Sequence, residues 1–349
     1  MSALTFRQRL EFRLGRWLSL LPPRAQVRLS GRPPIRIDGQ TLEPEIQLLL
    51  AAMERWGRPP YEQLPLARAR AEMRRGAMTG GGPAAPVAAV RELAVADSLS
   101  ARHYAPPEPG GPHPLIVFFH GGGFVLGDLD SHDGPCRLLC RHAGAHVLSV
   151  DYRLAPEHPF PAAVDDACAA LRWACEHAGE LGADPARVAV AGDSAGGNLA
   201  ALAAREAPVA LQLLFYPATD FVERARSHDL FDQGFLLTRG DMDWFSRQYT
   251  AGADPEDPRL TILRAGDLER LPPALVVTAG FDPLRDEGEA YAVRLREAGV
   301  PAAVRRFPGL IHGFINLIGV SRTSRDALVE IGGAARALLA TAAPDRALA

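Results

Sequence analysis

Four places in the sequence carry groups suited to one reaction. The first is VAVAGDSAGGNLAALAA, residues 188–204, where a short apolar run ends at Gly192, Ser194 follows, and small helix-forming residues take over. Gly192-Asp193-Ser194-Ala195-Gly196 fits G-x-S-x-G between a strand and a helix, the context in which a serine is held out on a strained corner as a nucleophile. Glycines are needed there because the corner strains the serine backbone and larger neighbours meet the strand or the helix. The second place is VFFHGGGFVLGDLD, with Gly121, Gly122 and Gly123 directly after an apolar strand-like run. Their unshielded N–H groups can point at one spot. An acyl-transfer intermediate needs such donors where its oxyanion develops, and losing one costs about 3 kcal/mol. The N–H of Ala195, beside the serine and at the positive end of a helix, is a further donor.

Such a serine also needs a base, and the base a carboxylate to orient it. ALVVTAGFDPLRDEGEAYA places Asp282 just past a strand-like run. Asp282-Pro283 also makes a good helix N-cap with proline at the first helical position. Asp286, one turn on, is the rival carboxylate and better placed to support the helix start. RRFPGLIHGF sets His312 in a loop beyond the last strand-like run, and of ten histidines only this one follows Asp282. The order serine, acid, histidine is one that hydrolytic triads use. The other nine read as ordinary surface or core residues, with His120 bracing its loop. Cys136, Cys140, Cys168 and Cys175 lack zinc-type spacing and read as free thiols of a reducing cytoplasm. No metal and no organic cofactor is expected.

These groups converge only if one sheet carries them. PLIVFFH, HVLSVDY, RVAVAGD, ALQLLFYP, ALVVTAG and AAVRRFP are apolar runs of buried-strand type, and AAVRELAVA and LSARHYA make an antiparallel lead-in. Helical segments (PCRLLCRHAG, AVDDACAALRWACEHAGEL, GGNLAALAAREA, DEGEAYAVRLREAG) lie between several of them. The alternation predicts an α/β fold, a mostly parallel eight-stranded sheet flanked by helices on both faces. From Ala218 to about Leu271 the rhythm breaks. A connection that long predicts an insertion with a task, a lid over the C-terminal edge of the sheet. Residues before TGGGPAAP read as helical, with a boundary near Gly80. The expected segments are 1–84, an N-terminal helical cap segment; 85–217, the first part of the core; 218–265, the cap insertion; and 266–349, the second part of the core.

A net charge of −3 offers no field for nucleic acid, and a hydrophobic content of 47% is ample for a large core. FRQRLEFRLGRWLSLLPP sets Phe6, Leu10, Leu14, Trp17, Leu18 and Leu21 at helical spacing, with Arg7, Arg9, Arg13 and Arg16 between them. Its longest uncharged stretch is too short for a signal peptide or a membrane span. The expectation is a cytoplasmic chain with no integral span. The apolar stripe is expected to pack onto the rest of the protein; peripheral contact with a membrane through this helix is the alternative.

The chain resembles the hormone-sensitive-lipase-like α/β-hydrolase carboxylesterases, bacterial family IV. The matching motifs are 120–124 (HGGGF), 151–163 (DYRLAPEHPFPAA), 192–197 (GDSAGG), 282–288 (DPLRDEG) and 312–314 (HGF), within a span of about 85–345. The resemblance implies Ser194, Asp282 and His312 as a triad, and Gly122, Gly123 and Ala195 as oxyanion donors. It also implies a cap made of the N-terminal segment and the long insertion, with Glu157 bracing the floor of the site; a plain salt bridge suits Glu157 equally. DPRLTILRAGDL departs from the family pattern, which bears on the cap's local shape. The expected function is hydrolysis of short- to medium-chain acyl esters through an acyl-enzyme, by a monomer or homodimer whose partner is a small-molecule ester. Trp17, Phe221, Phe231, Phe235, Trp244 and Phe245 are expected to line the acyl pocket. Three other readings stand beside it: a non-catalytic ligand receptor like the plant gibberellin receptors, which lose the triad histidine; an amidase or peptidase; and an interfacial lipase docked by the N-terminal helix.

Overall fold

A computed structural model describes residues 5–341 apart from 58, 97, 98 and 109. The outermost parts of the expected segments 1–84 and 266–349 therefore lie outside the described residues. The chain begins with α1 (Phe6–Ser19) and α2 (Pro23–Ser30), a small ribbon of β1 (Arg36–Ile37) and β2 (Gln40–Thr41), then α3 (Pro44–Arg55) and α4 (Leu66–Gly81). There follow β3 (Ala89–Val95), β4 (Leu99–Ala105), β5 (His113–Phe119), α5 (Asp133–Ala143), β6 (His146–Val150), α6 (Ala162–His177), β7 (Ala183–Asp193), α7 (Ala195–Ala203) and β8 (Leu211–Phe215). After a long connection carrying α8 (Arg226–Leu230) and α9 (Arg239–Thr250) come β9 (Ala274–Phe281), α10 (Arg285–Glu297), β10 (Ala302–Ile311) and α11 (Arg322–Thr341).

Eight strands form one sheet in the order β10-β9-β8-β7-β5-β6-β4-β3. The six from β5 to β10 are parallel, and β4 and β3 join antiparallel at one edge. Because helices cover both faces, the central strands are buried on both, which is why they read as unbroken apolar runs. Side chains still alternate: Leu115, Val117 and Phe119 of β5 enter the core beneath α6 and α7, while Ile116 and Phe118 enter the core beneath α5 and α11.

The first helix departs from expectation. Gln8 and Ser19 are buried, and Gly15 lies close against Val320, whereas Phe6, Leu10, Leu14 and Trp17 are 78%, 60%, 44% and 58% exposed. The polar face of α1 is the one that packs. Arg9 and Arg13 sit beside the stripe on the helix, so turning the stripe inward would bury their charges without partners. Phe12 fills the place a side chain on Gly82 would take, which draws the opposite face onto the body. The helix α4 ends at Gly81, beside the expected break near Gly80. Gly319 donates its N–H to the Gly80 carbonyl at 2.7 Å, seating the end of α4 on the loop after β10.

Inside the sheet, His103 on β4 and His146 on β6 meet at 2.9 Å between Nε2 and Nδ1. Burial, with His146 beside it, pushes the His103 imidazole down to about 4. It is neutral in the fold but takes a proton in the unfolded chain below about pH 6.5, so acid favours unfolding. Stability is therefore full above pH 6.5 and falls as pH drops toward 4, by roughly 1.4 kcal/mol per pH unit for this group. Thermal melts between pH 7 and 4.5 should show a shallower loss of Tm in His103→Gln than in the parent protein.

Candidate active site

Strand β7 ends at Asp193 and α7 begins at Ala195, leaving Ser194 alone on the corner at φ 55°, ψ −119°. A serine in that region costs on the order of 1–3 kcal/mol and persists only when its surroundings fix it. Here the Ser194 N–H donates to the Phe215 carbonyl at 2.9 Å, and its own carbonyl accepts from Asn198 at 3.2 Å. A Cβ on Gly192 would overlap the Gly196 carbonyl, and one on Gly196 the Phe119 carbonyl. Absent side chains are what let strand and helix cross so closely.

His312 lies just beyond β10, with Nε2 3.0 Å from Ser194 Oγ and Nδ1 2.9 Å from Asp282 Oδ2. The other oxygen of the fully buried Asp282 accepts the Leu284 N–H at 2.8 Å. The carboxylate thus closes a turn and also faces the histidine. It is not the helix N-cap considered from the sequence, since α10 starts at Arg285 with Leu284 in the cap position. Asp286 stands in the first turn of α10, and its carboxylate also reaches outward. It accepts from the Ser227 N–H at 2.9 Å and from Arg285 at 2.7 Å, reaching out to the long insertion.

The glycine run divides its labour. The Gly121 N–H donates to Asp193 Oδ1 at 2.7 Å, so it is spent inside the protein. Gly122 (φ 121°) and Gly123 (φ 62°) have left-handed backbones. Among the described residues their N–H groups and that of Ala195 meet no acceptor, and all three residues line one cavity with Ser194 and His312. A Cβ on Gly123 would strike the Phe245 ring. Asp193 also faces His132 Nε2 at 3.2 Å. Burial opposes its charge, but His132 and the Gly121 amide outweigh burial and hold the carboxyl below its usual range. His120 braces the loop as expected, with Nδ1 2.9 Å from the Gly121 oxygen, and burial drives its imidazole down to about 4. Sequence spacing gave no hint of His132, because only the fold brings it under the corner.

The cavity holds about 1160 Å³ and runs from the corner outward between α1, α3, α4 and the insertion. Of the six aromatic residues expected in it, only Phe221 and Phe245 line it. Phe231 and Phe235 instead pack on Phe281 of β9, with ring centroids 5.5 and 5.3 Å away. Trp244, next to Phe245 but about 100° around α9, is buried in the core, and Trp17 points outward. Glu157 is absent from the lining. It pairs with Arg70 at 2.6 Å, while Arg70 also donates to the Val125 and Ala155 carbonyls at 2.9 and 3.0 Å. The salt bridge fastens α4 to the loop between β6 and α6, and the bond to the Val125 carbonyl fastens it to the loop beyond the glycine run. Among the described residues no cluster of three His, Cys, Asp or Glu is placed to hold a metal, and no helix is long and apolar enough to cross a membrane.

A serine, a histidine and a carboxylate linked by hydrogen bonds, beside three residues with unpaired N–H groups lining the same cavity, is an arrangement suited to acyl transfer. The profile of a family described as alpha/beta hydrolase fold matches residues 116–316. The carboxylic ester hydrolase LipN of Mycobacterium tuberculosis is 48% identical over 340 residues, 92% of this chain and 90% of its own. The ethyl acetate hydrolase of Pseudomonas putida is 40% identical over 67% of this chain and 77% of its own. Among solved structures, the ester hydrolase EH1AB1 from the metagenome of Lake Arreo, complexed with a bipyridine phosphonate derivative, superposes with a TM-score of 0.82. It is 42% identical, covering 86% of this chain and all of that one. The chain belongs to the α/β-hydrolase fold family, in its hormone-sensitive-lipase-like branch. Within that branch it is a hydrolase of carboxylic esters.

Gly123→Ala must distort both the left-handed backbone and the Phe245 contact. Ester turnover should fall at least about tenfold and stability by roughly 1–3 kcal/mol, read from steady-state rates and urea melts.

Proposed function

We propose that Ser194 is the nucleophile, His312 the base and Asp282 the group that orients it, with Gly122, Gly123 and Ala195 as the oxyanion donors. The observation that carries this reading is the continuous line from Asp282 through His312 to Ser194 Oγ, ending among three free amides in one cavity. Ser194 Oγ attacks the ester carbonyl as its proton passes to His312 Nε2, and the carbonyl electrons move onto an oxygen held by the three N–H groups. Collapse breaks the bond to the alcohol, which leaves with the proton from His312. Water then loses a proton to the same nitrogen, attacks the acyl-enzyme, and releases the acid and the serine.

The substrates are short- to medium-chain acyl esters. Segments 5–84 and 218–265 act together as a cap, because both wall the cavity and Phe245 closes it over Gly123. The protein works in the cytoplasm, a setting that suits its four free cysteines.

A fluorophosphonate should label the protein and fail to label Ser194→Ala, whose ester hydrolysis should drop by at least about 10³-fold. Undiminished turnover in that variant would overturn the assignment. Asp282→Asn holds His312 in the wrong tautomer and leaves its imidazolium without a carboxylate, and should lower kcat by roughly 10³–10⁴-fold with little change in KM. In a p-nitrophenyl ester series, kcat/KM should peak at short or medium acyl chains; rates that keep rising to the longest chain refute the size preference.

A further inference from the structure

Four of the six side chains expected to pack inward, Phe6, Leu10, Leu14 and Trp17, face solvent, while Leu18 and Leu21 are half-buried. That exposed surface is built for something other than water. Phe6, Leu10, Leu14 and Trp17 fall within an arc of about 80° on the helix, with Arg9, Arg13 and Arg16 directly along one edge. Gln8, Gly15 and Ser19 lie on the opposite side, against the protein. Of ten exposed large apolar side chains among the described residues, five lie between positions 6 and 20. Such clustering marks an interaction site rather than scattered surface apolarity.

Charge identifies what would cover it. Residues 5–36 contain eight arginines and one glutamate, although the chain as a whole is acidic. Arg7 pairs with that glutamate, Glu11, but Arg9, Arg13 and Arg16 make no ion pair among the described residues. A second copy meeting this face about a twofold axis would bring arginine against arginine. A bilayer with anionic headgroups satisfies both halves of the surface: phosphates take the guanidinium groups, and the apolar side chains enter the interface below them. Position agrees with this. Leu10 of the stripe also lines the mouth of the catalytic cavity, as does the 65%-exposed Trp56 beyond α3.

We propose that α1 docks the protein on anionic phospholipid surfaces, stripe inward, so that the cavity mouth opens beside the lipid and draws ester substrates dissolved in it. The choice of substrate rests on the esterase reading above; the docking itself does not.

The test is flotation of the full chain with phosphatidylglycerol-containing phosphatidylcholine vesicles, compared with phosphatidylcholine alone. Binding to the anionic vesicles should be at least about tenfold tighter and should weaken about tenfold as NaCl rises from roughly 0.1 to 0.5 M. A Leu14→Ser/Trp17→Ser double variant, and separately Arg9→Ser/Arg13→Ser/Arg16→Ser, should each lose about tenfold or more in binding. None of these side chains lines the cavity, so hydrolysis of dissolved p-nitrophenyl acetate should stay unchanged and report an intact fold. Absence of flotation, or variants that bind as well as the parent, overturns the proposal. So does sedimentation at dimer mass that the stripe variants abolish, since the stripe would then belong to a second copy. Protein that floats with anionic vesicles yet hydrolyses no ester supports docking and sinks the esterase reading instead.

Discussion

The structure depends on one close approach, the crossing of β7 and α7 at Ser194. Its backbone lies at φ 55°, and the carbonyls of Gly196 and Phe119 occupy the space where side chains on Gly192 and Gly196 would stand. A parallel sheet makes this corner available at the C-terminal end of a central strand. It also sets β9 and β10 two and three strands away in the same direction, so that the loops after them carry Asp282 and His312 to the same edge. Ser194 and His312 are 118 residues apart in the chain and Asp282 and His312 are 30 apart, and the register of the sheet is what brings the three within hydrogen-bond distance.

A second layer holds the glycine run to that corner. Asp193 is one residue from the serine and grips the Gly121 amide at 2.7 Å, with His132 behind it. One buried carboxylate therefore fixes the distance between the serine and the glycine run. The amide it takes leaves Gly122 and Gly123 to face the cavity. Preorganisation of this kind is how donors act without rearranging during the reaction.

Much of this was legible in the sequence, for physical reasons. Strands buried on two faces must be apolar throughout, so β5 to β9 stood out as runs. Glycines that permit a close crossing cannot be replaced, so GDSAGG and HGGG were visible as motifs. What escaped notice shares a different cause. Helical periodicity shows that α1 is amphipathic but not which side meets the protein; the small Gly15 and the arginines beside the stripe decide that. Five aromatic residues of the insertion were assigned to the pocket, yet Phe231 and Phe235 serve the core around Phe281, and Trp244 turns away while its neighbour Phe245 turns in. Asp286 and Glu157 had partners, Ser227 and Arg70, that lie far off in the chain and are set only by tertiary contact.

The bonds between the insertion and the loop that carries Asp282 have a mechanical meaning. Ser227 accepts from the Asp286 amide and donates to the Pro283 carbonyl at 2.5 Å, while its own amide is held by the Asp286 carboxylate. Roof and acid loop are thus stitched into one stiff piece. Under the roles proposed above, an ester bulky enough to lift the insertion would strain the loop that carries Asp282. Oversize substrates would then be slowed in how fast they react once seated, rather than in whether they enter.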